Sequence, residues 1–541
     1  MKYVYLFGKN INEGDSSKID LLGGKGANLA EMSSLNIPVP PGFTVTTEVC
    51  NLFLKNYSLK KSIKYDISKA LKLVEKSISK KFGDIENPLL LSVRSGAKIS
   101  MPGMMETVLN IGLTSKTIPG LIKRTGNSRF VYDSYRRLIM MYADVVMEKA
   151  EQKNDINIRE KLEHILDQYK NKRSIVNDFD LTTEDLKFLI DKFKFNIKKY
   201  LKVDFPDSPE EQLWGAIEAV FKSWNGKRAV QYRNIENIPH DWGTAINVQS
   251  MVFGNLGETS ATGVAFTRNP SNGDNKIYGE WLQNAQGEDV VAGIRTPYPI
   301  NETSKTLKTN KNITLQKMWP RIYDKLLKIK NVLEKHYKEM QDVEFTIESG
   351  TLWMLQTRTG KRTGEAAIKI AIEMNEDKLI LQKEVLDRIL SKHIDEIMHP
   401  KVDPKLEQIN EAIASGLPAS PGGATGQIVF TADDAEKWHK KNKKIILIRH
   451  ETSPEDVQGM HVSQGIITAK GGMTSHAALV ARGWGKACIV GCSDLNIDLK
   501  NQTVKINNIT YKKGDWFTMN GTEGFVYDKK LDLVKSNFIN N

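Results

Sequence analysis

An α/β and α+β multidomain protein is the fold class this sequence predicts, on three observations. Its 541 residues exceed what a single hydrophobic core usually organises. The texture changes along the chain, from short apolar runs broken by glycine and proline, to long charged helical periodicity, and back to strand-like runs. From 413 to 520, strands and short helices surround a glycine loop that runs into a helix.

In the first hundred residues, runs such as Val39-Pro40-Pro41-Gly42-Phe43-Thr44-Val45 and Leu89-Leu90-Leu91-Ser92-Val93 read as strands entered from turns. From about 119 to 200 the apolar positions keep a helical period among many charges, which predicts a helical insertion. Strands return between Ala245 and Val291, including Gly263-Val264-Ala265-Phe266-Thr267 and Ile277-Tyr278-Gly279-Glu280-Trp281, and a helix follows over Ile322 to Glu339. Together these form a first domain, residues 1–361.

Between Gln341 and Arg358, alternation predicts a hairpin with one polar face, Asp342, Glu344 and Thr346 against Val343, Phe345 and Ile347. With a three-residue loop, Ser349-Gly350-Thr351, Glu344 faces Gln356 and Asp342 faces Arg358. A two-residue turn breaks this, because a one-residue slip sends Gln356 to the other face. Oxygen ligands of this kind suit Mg²⁺, and the pattern suits equally a solvated strand face with a cross-strand ion pair. Beyond the hairpin, two amphipathic helices split at Asn375-Glu376-Asp377 fill a helical connector, residues 362–412.

The compact segment 413–520 holds the most informative stretch, Gly471-Gly472-Met473-Thr474-Ser475-His476-Ala477-Ala478. Gly465 to Ala469 reads as a buried strand before it, and the small residues Ala477 to Ala481 as a helix after it, ended by Gly483 and Gly485. His476 thus sits at a helix N-terminus, where unpaired N–H groups and the positive end of the dipole favour a neutral, nucleophilic ring. The same groups stabilise an arriving phosphoryl charge, so His476 reads as a phosphoryl acceptor. Thr474 reads as the helix cap, and Arg482 as either a phosphate-neutralising or a helix-surface residue. The polar stretch 521–541 reads as tail or linker.

The net charge of +12 comes mainly from lysines scattered along helices, which points to solvated helix faces and away from nucleic acid. No apolar run reaches the length of a membrane span, and Tyr3 to Phe7 is too short for a signal-peptide core, so the expected location is cytoplasmic. Cys50, Cys488 and Cys492 read as reduced thiols, and His240, His336, His450 and His461 as structural.

The histidine segment resembles that of the pyruvate, phosphate dikinase family, in the form with Met473 and Ser475 around Thr474 and His476. The resemblance is co-linear, through Leu21-Leu22-Gly23-Gly24-Lys25-Gly26, Ser92-Val93-Arg94-Ser95-Gly96, Met101-Pro102-Gly103-Met104-Met105 and Gly491-Cys492. It implies an ATP-grasp nucleotide-binding domain followed by a swivelling phosphohistidine domain. It places the family's ATP- and phosphate-contacting positions on Lys25, Arg94, Glu280, Asp342, Glu344, Gln356 and Arg358, with Mg²⁺ on Glu344 and Gln356. Lys25 would meet phosphate as a point charge beside glycines, and Arg94, read as following a strand, would grip it as a fork. The loop Ser100 to Met105 would cover the triphosphate. In plant dikinases the residue matching Thr474 is a regulatory phosphorylation site.

The implied reaction converts ATP, phosphate and pyruvate to AMP, pyrophosphate and phosphoenolpyruvate, with His476 carrying first a diphosphoryl and then a phosphoryl group. The resemblance also implies homodimers and a C-terminal barrel for pyruvate and phosphoenolpyruvate. No match to that barrel is read here, so the expectation is of a chain that carries the ATP and phosphate half-reactions. Other readings are a phosphoenolpyruvate synthase, an antibiotic phosphotransferase, or a phosphocarrier that is not an enzyme.

Overall fold

The computed structural model describes residues 2–101, 103–151, 156–291, 297–305, 312–397 and 400–534. Pro102 of the expected triphosphate cover and residues 535–541 of the expected tail lie outside the described residues. Two compact units form, one up to Leu256 together with Trp353–Gln356, the other Gly257–Leu352 with the chain from Thr357 onward. The division falls inside the stretch 1–361 expected as one domain.

In the first unit, five antiparallel strands lie in the order Val4–Phe7, Gly42–Val45, Ala245–Ser250, Leu91–Gly96, Thr107–Ile111. Helix Ile19–Ser34 packs on this sheet and is broken at Gly23, whose φ of 64° is non-helical. The expected helical insertion is longer than 119–200. It begins with Ile118–Thr125 and Ser128–Tyr142, continues through Ile158–Arg173 and Thr183–Leu201, and adds Pro209–Ser223 and Lys227–Ile235. The last two helices escaped the sequence reading although Ser208 caps the first of them, accepting from the Glu211 N–H with Pro209 just inside.

The second unit holds two large sheets. In one, Tyr298–Pro299, Tyr278–Gln283, Ala261–Phe266 and Gln341–Glu348 run antiparallel in that order. The register sets Glu280 and Glu344 on opposite sides of Val264, and Tyr278 and Asp342 on opposite sides of Phe266. Facing residues in neighbouring strands project to the same side, so these four polar side chains share one face.

The other sheet has eight strands around a parallel centre, Gly423–Val429, Ile445–Arg449, Gly465–Thr468 and Ala487–Val490. Helices cover one side through Ala435, Met460, Ala477, Ala478 and Ala481. A three-stranded meander covers the other through Ile497, Val504, Ile506 and Tyr511. The strand Phe525–Tyr527 belongs to this sheet and Leu533–Val534 pairs with Lys401–Val402, so the stretch expected as tail is partly built into the fold.

The connector also differs from its expected two helices. It forms Gly364–Glu376, Gln382–Arg388 and Ser391–Ile397, followed by a short helix, Pro404–Ile409.

Candidate functional site

His476 opens helix His476–Trp484, which leaves the loop after the parallel strand Gly465–Thr468. Ser475 is the N-cap, accepting from the Ala478 N–H at 3.5 Å, and Gly485 ends the helix with φ 62°. The cap is therefore Ser475 and not the expected Thr474, and Gly483 lies inside the helix. The ring is buried, with Nδ1 3.1 Å from the Thr452 hydroxyl. Thr452 follows the neighbouring parallel strand Ile445–Arg449, so the carboxyl ends of two adjacent strands converge on the imidazole. Lys470, Thr468, Gly471 and Ser475 line the same small depression.

Thr474 is engaged elsewhere. Its hydroxyl donates to Glu280 Oε2 at 2.8 Å and its N–H to the same oxygen at 3.3 Å, while the Met473 N–H donates to Glu280 Oε1 at 3.1 Å. Burial pushes the Glu280 carboxyl up, against the opposing effect of these bonds and of Arg482. Arg482, expected on the surface or at phosphate, is 2% exposed and donates to the Met473 carbonyl at 2.5 Å and the Ala419 carbonyl at 3.3 Å. Its guanidinium also lies over the Phe266 ring, and Leu479 of the histidine helix packs in the cluster of Phe266, Met340 and Ile370. The histidine helix thus rests against the polar-faced sheet.

Around the hairpin, the turn is Ser349-Gly350, two residues with φ of 46° and 78°, and not the expected three. Arg358 Nε nonetheless donates to Asp342 Oδ2 at 2.8 Å, and the Gly360 N–H to the Met340 carbonyl at 3.0 Å. Nine steps separate Thr351 from Gly360 but only eight separate Glu348 from Met340, so the returning strand carries one extra residue, a bulge. That bulge restores at the far end the pairing that the shorter turn removes. Asp342 is buried, which pushes its carboxyl up while Arg358 opposes the shift, and its Oδ1 accepts no hydrogen bond. Glu344 is half-buried on the same face.

The first unit holds Lys25, Arg94 and Gln356. Lys25 lies in the first helical turn after the Gly23 break, not in a loop, and the Gly24 N–H donates to the Ala97 carbonyl at 2.9 Å. Arg94 lies within strand Leu91–Gly96, not beyond it, and its Nη1 donates to the Leu355 carbonyl at 3.4 Å. Gln356 is buried. Thr452 is the site residue that sequence reasoning missed, since nothing local in Glu451-Thr452-Ser453 marks it.

Comparison with known proteins adds the family. Residues 19–325 and 303–379 match the pyruvate phosphate dikinase AMP/ATP-binding domain, and residues 441–524 the mobile domain of phosphoenolpyruvate-utilising enzymes. The class is thus a nucleotide-binding domain joined to a mobile domain. Pyruvate, phosphate dikinase of Rhizobium meliloti (strain 1021) is 48% identical over 535 residues, 99% of this chain and 58% of the relative. That of Clostridium symbiosum is 49% identical over 537 residues, 99% of this chain and 59% of the relative. The chloroplastic pyruvate, phosphate dikinase 1 of Arabidopsis thaliana is 48% identical over 534 residues, 98% and 53%. The chain belongs to the pyruvate, phosphate dikinase family, and it spans somewhat more than half the length of these curated relatives. The expectation of an absent C-terminal barrel is not borne out by these matches, which identify a phosphoenolpyruvate-utilising mobile domain in the second half of the chain. Among the described residues, no helix is long and apolar enough to cross a membrane.

Proposed function

We propose that this chain is a phosphotransferase of the dikinase type, acting on ATP, phosphate and pyruvate through a phosphohistidine at His476. The observation that carries the reading is the imidazole at a helix N-terminus with Thr452 on Nδ1. A proton held on Nδ1 toward the Thr452 oxygen leaves the Nε2 lone pair as nucleophile. Attack on the β-phosphorus of ATP forms the N–P bond and releases AMP. Phosphate then takes the terminal phosphoryl group as pyrophosphate, leaving one phosphoryl on the ring for pyruvate. The helix N–H groups and the ammonium of Lys470 offset the charge that arrives.

Lys25, Arg94 and Arg358 are proposed to hold ATP or phosphate oxygens, and Asp342 to orient Arg358. The domain of the first set is proposed as an ATP-grasp fold within residues 1–361, with 362–412 as connector and 413–520 as the phosphohistidine domain. Mg²⁺ fits the hairpin, where Asp342 Oδ1 is buried without a hydrogen bond and Glu344 lies two residues on. Glu344 is the ligand proposed from the hairpin and Gln356 the second on the family resemblance, and the ion when bound would neutralise phosphate charge. Thr474 is a proposed regulatory site, since a phosphate there meets the buried Glu280 carboxylate.

The test is incubation with γ-³²P-ATP and Mg²⁺, then with phosphate, beside His476→Ala. Acid-labile label that depends on His476 and leaves as pyrophosphate is the expected result. Label that leaves only as inorganic phosphate points to synthase chemistry, and no label from ATP to a carrier charged by a partner.

A further inference from the structure

We propose that Glu280 is a positioning residue for the phosphoryl-accepting loop, holding the backbone of Met473 and Thr474 so that His476, two residues further on, presents its ring in one orientation. This rests on the reading of His476 as the phosphoryl acceptor.

Glu280 lies on strand Tyr278–Gln283, 193 and 194 residues along the chain from its partners in the loop. Both carboxylate oxygens are used. Oε1 accepts the Met473 N–H, and Oε2 accepts the Thr474 N–H and hydroxyl. A buried carboxylate is costly unless donors surround it, and three donors from two consecutive residues are what this one has. The loop is held from its other side too, because Arg482 takes the Met473 carbonyl at 2.5 Å. Gly472 completes the fit, since a Cβ there would overlap the Glu280 carboxylate. Met473 is thereby fixed at both its N–H and its carbonyl, and Ser475 closes the segment as the helix cap. An orientation this constrained suits a nucleophile that must meet phosphorus in line.

A nucleotide contact, the role implied for Glu280 by resemblance, would require these oxygens to leave the loop. The two roles separate experimentally. Glu280→Ala, Glu280→Gln, Thr474→Val and the Glu280→Ala/Thr474→Val pair are compared by amide hydrogen exchange at Met473 and Thr474, by ATP binding, and by the rate of His476 labelling at saturating ATP. Thermal unfolding selects the variants that fold. The expected result for Glu280→Ala is faster exchange at both amides and labelling slowed on the order of 10- to 100-fold, with ATP affinity within about twofold of the parent. Thr474→Val gives a smaller loss, the pair is no worse than Glu280→Ala alone, and Glu280→Gln, which keeps one acceptor oxygen, recovers part of the rate. Protected amides with weakened ATP binding, or labelling at the parent rate, would overturn the proposal. If the parent chain takes no label, the phosphohistidine reading fails, while the exchange data still decide whether Glu280 holds the loop.

Discussion

Thr452 stands 24 residues from His476 and touches its Nδ1 across 3.1 Å. Thr452→Val removes that partner and lets either ring nitrogen carry the proton, so labelling of His476 is expected to fall about 10-fold, as when an orienting partner is lost from a histidine. Nitrogen NMR of the ring checks the cause, by a mixed tautomer signal in the variant. Glu280 supplies a pH test at the same scale. Its folded carboxyl is raised above the unfolded value by burial, so the folded state holds the proton more tightly. Its contribution is fully favourable below the unfolded pKa and declines as pH rises through the folded one. Glu280→Gln is therefore expected to flatten the fall in stability across that window, read from urea midpoints in a pH series. The histidine was legible in sequence because loop, nucleophile and helix are contiguous. Thr452 and the Glu280 contact were not, because tertiary packing alone brings them together.

Elements show the same division between local and distant signals. Strand Gly465–Thr468 and the helix that begins at His476 follow from apolar runs, small residues and glycine stops. The hairpin turn could not be read, since Ser349-Gly350 and Ser349-Gly350-Thr351 fit the same residues and a bulge hides the difference further along. The glycine segment around Lys25 was legible as tight, but not as a helix start. Gly23 has a positive φ and no room for a Cβ against the Gly96 carbonyl, so Gly23→Ala is expected to cost at least about 2 kcal/mol in urea unfolding. Arg268 joins other elements. It is 1% exposed and pairs with Glu334 at 3.2 Å and Glu373 at 2.7 Å, tying helices Pro320–Tyr337 and Gly364–Glu376 to the end of strand Ala261–Phe266. Arg268→Ala leaves Glu334 and Glu373 only their longer contacts, to Lys330 at 3.6 Å and Lys369 at 4.0 Å, and is expected to cost about 3 kcal/mol, while Arg268→Met, which refills the space, leaves the loss to charge alone.

At the scale of the whole molecule, each unit has large, fully buried side chains of its own. Phe43, Phe53, Phe130, Phe193 and Trp224 lie in the first, and Phe266 and Trp281 in the second. A chain divided in this way is not expected to unfold in one step. Calorimetry should resolve two transitions, and the element-scale substitutions assign them. Gly23 belongs to the first unit and Arg268 to the second, and the two positions share no partner. Gly23→Ala should lower one midpoint and Arg268→Ala the other, with the double variant showing both shifts unchanged in size. A single transition lowered by either substitution would mean that the units unfold cooperatively, and the stability of the histidine helix would then depend on Gly23 and the helix that carries Lys25. Two separate midpoints would leave the loop around His476 answerable to its own unit, where Glu280 and Arg482 already hold it.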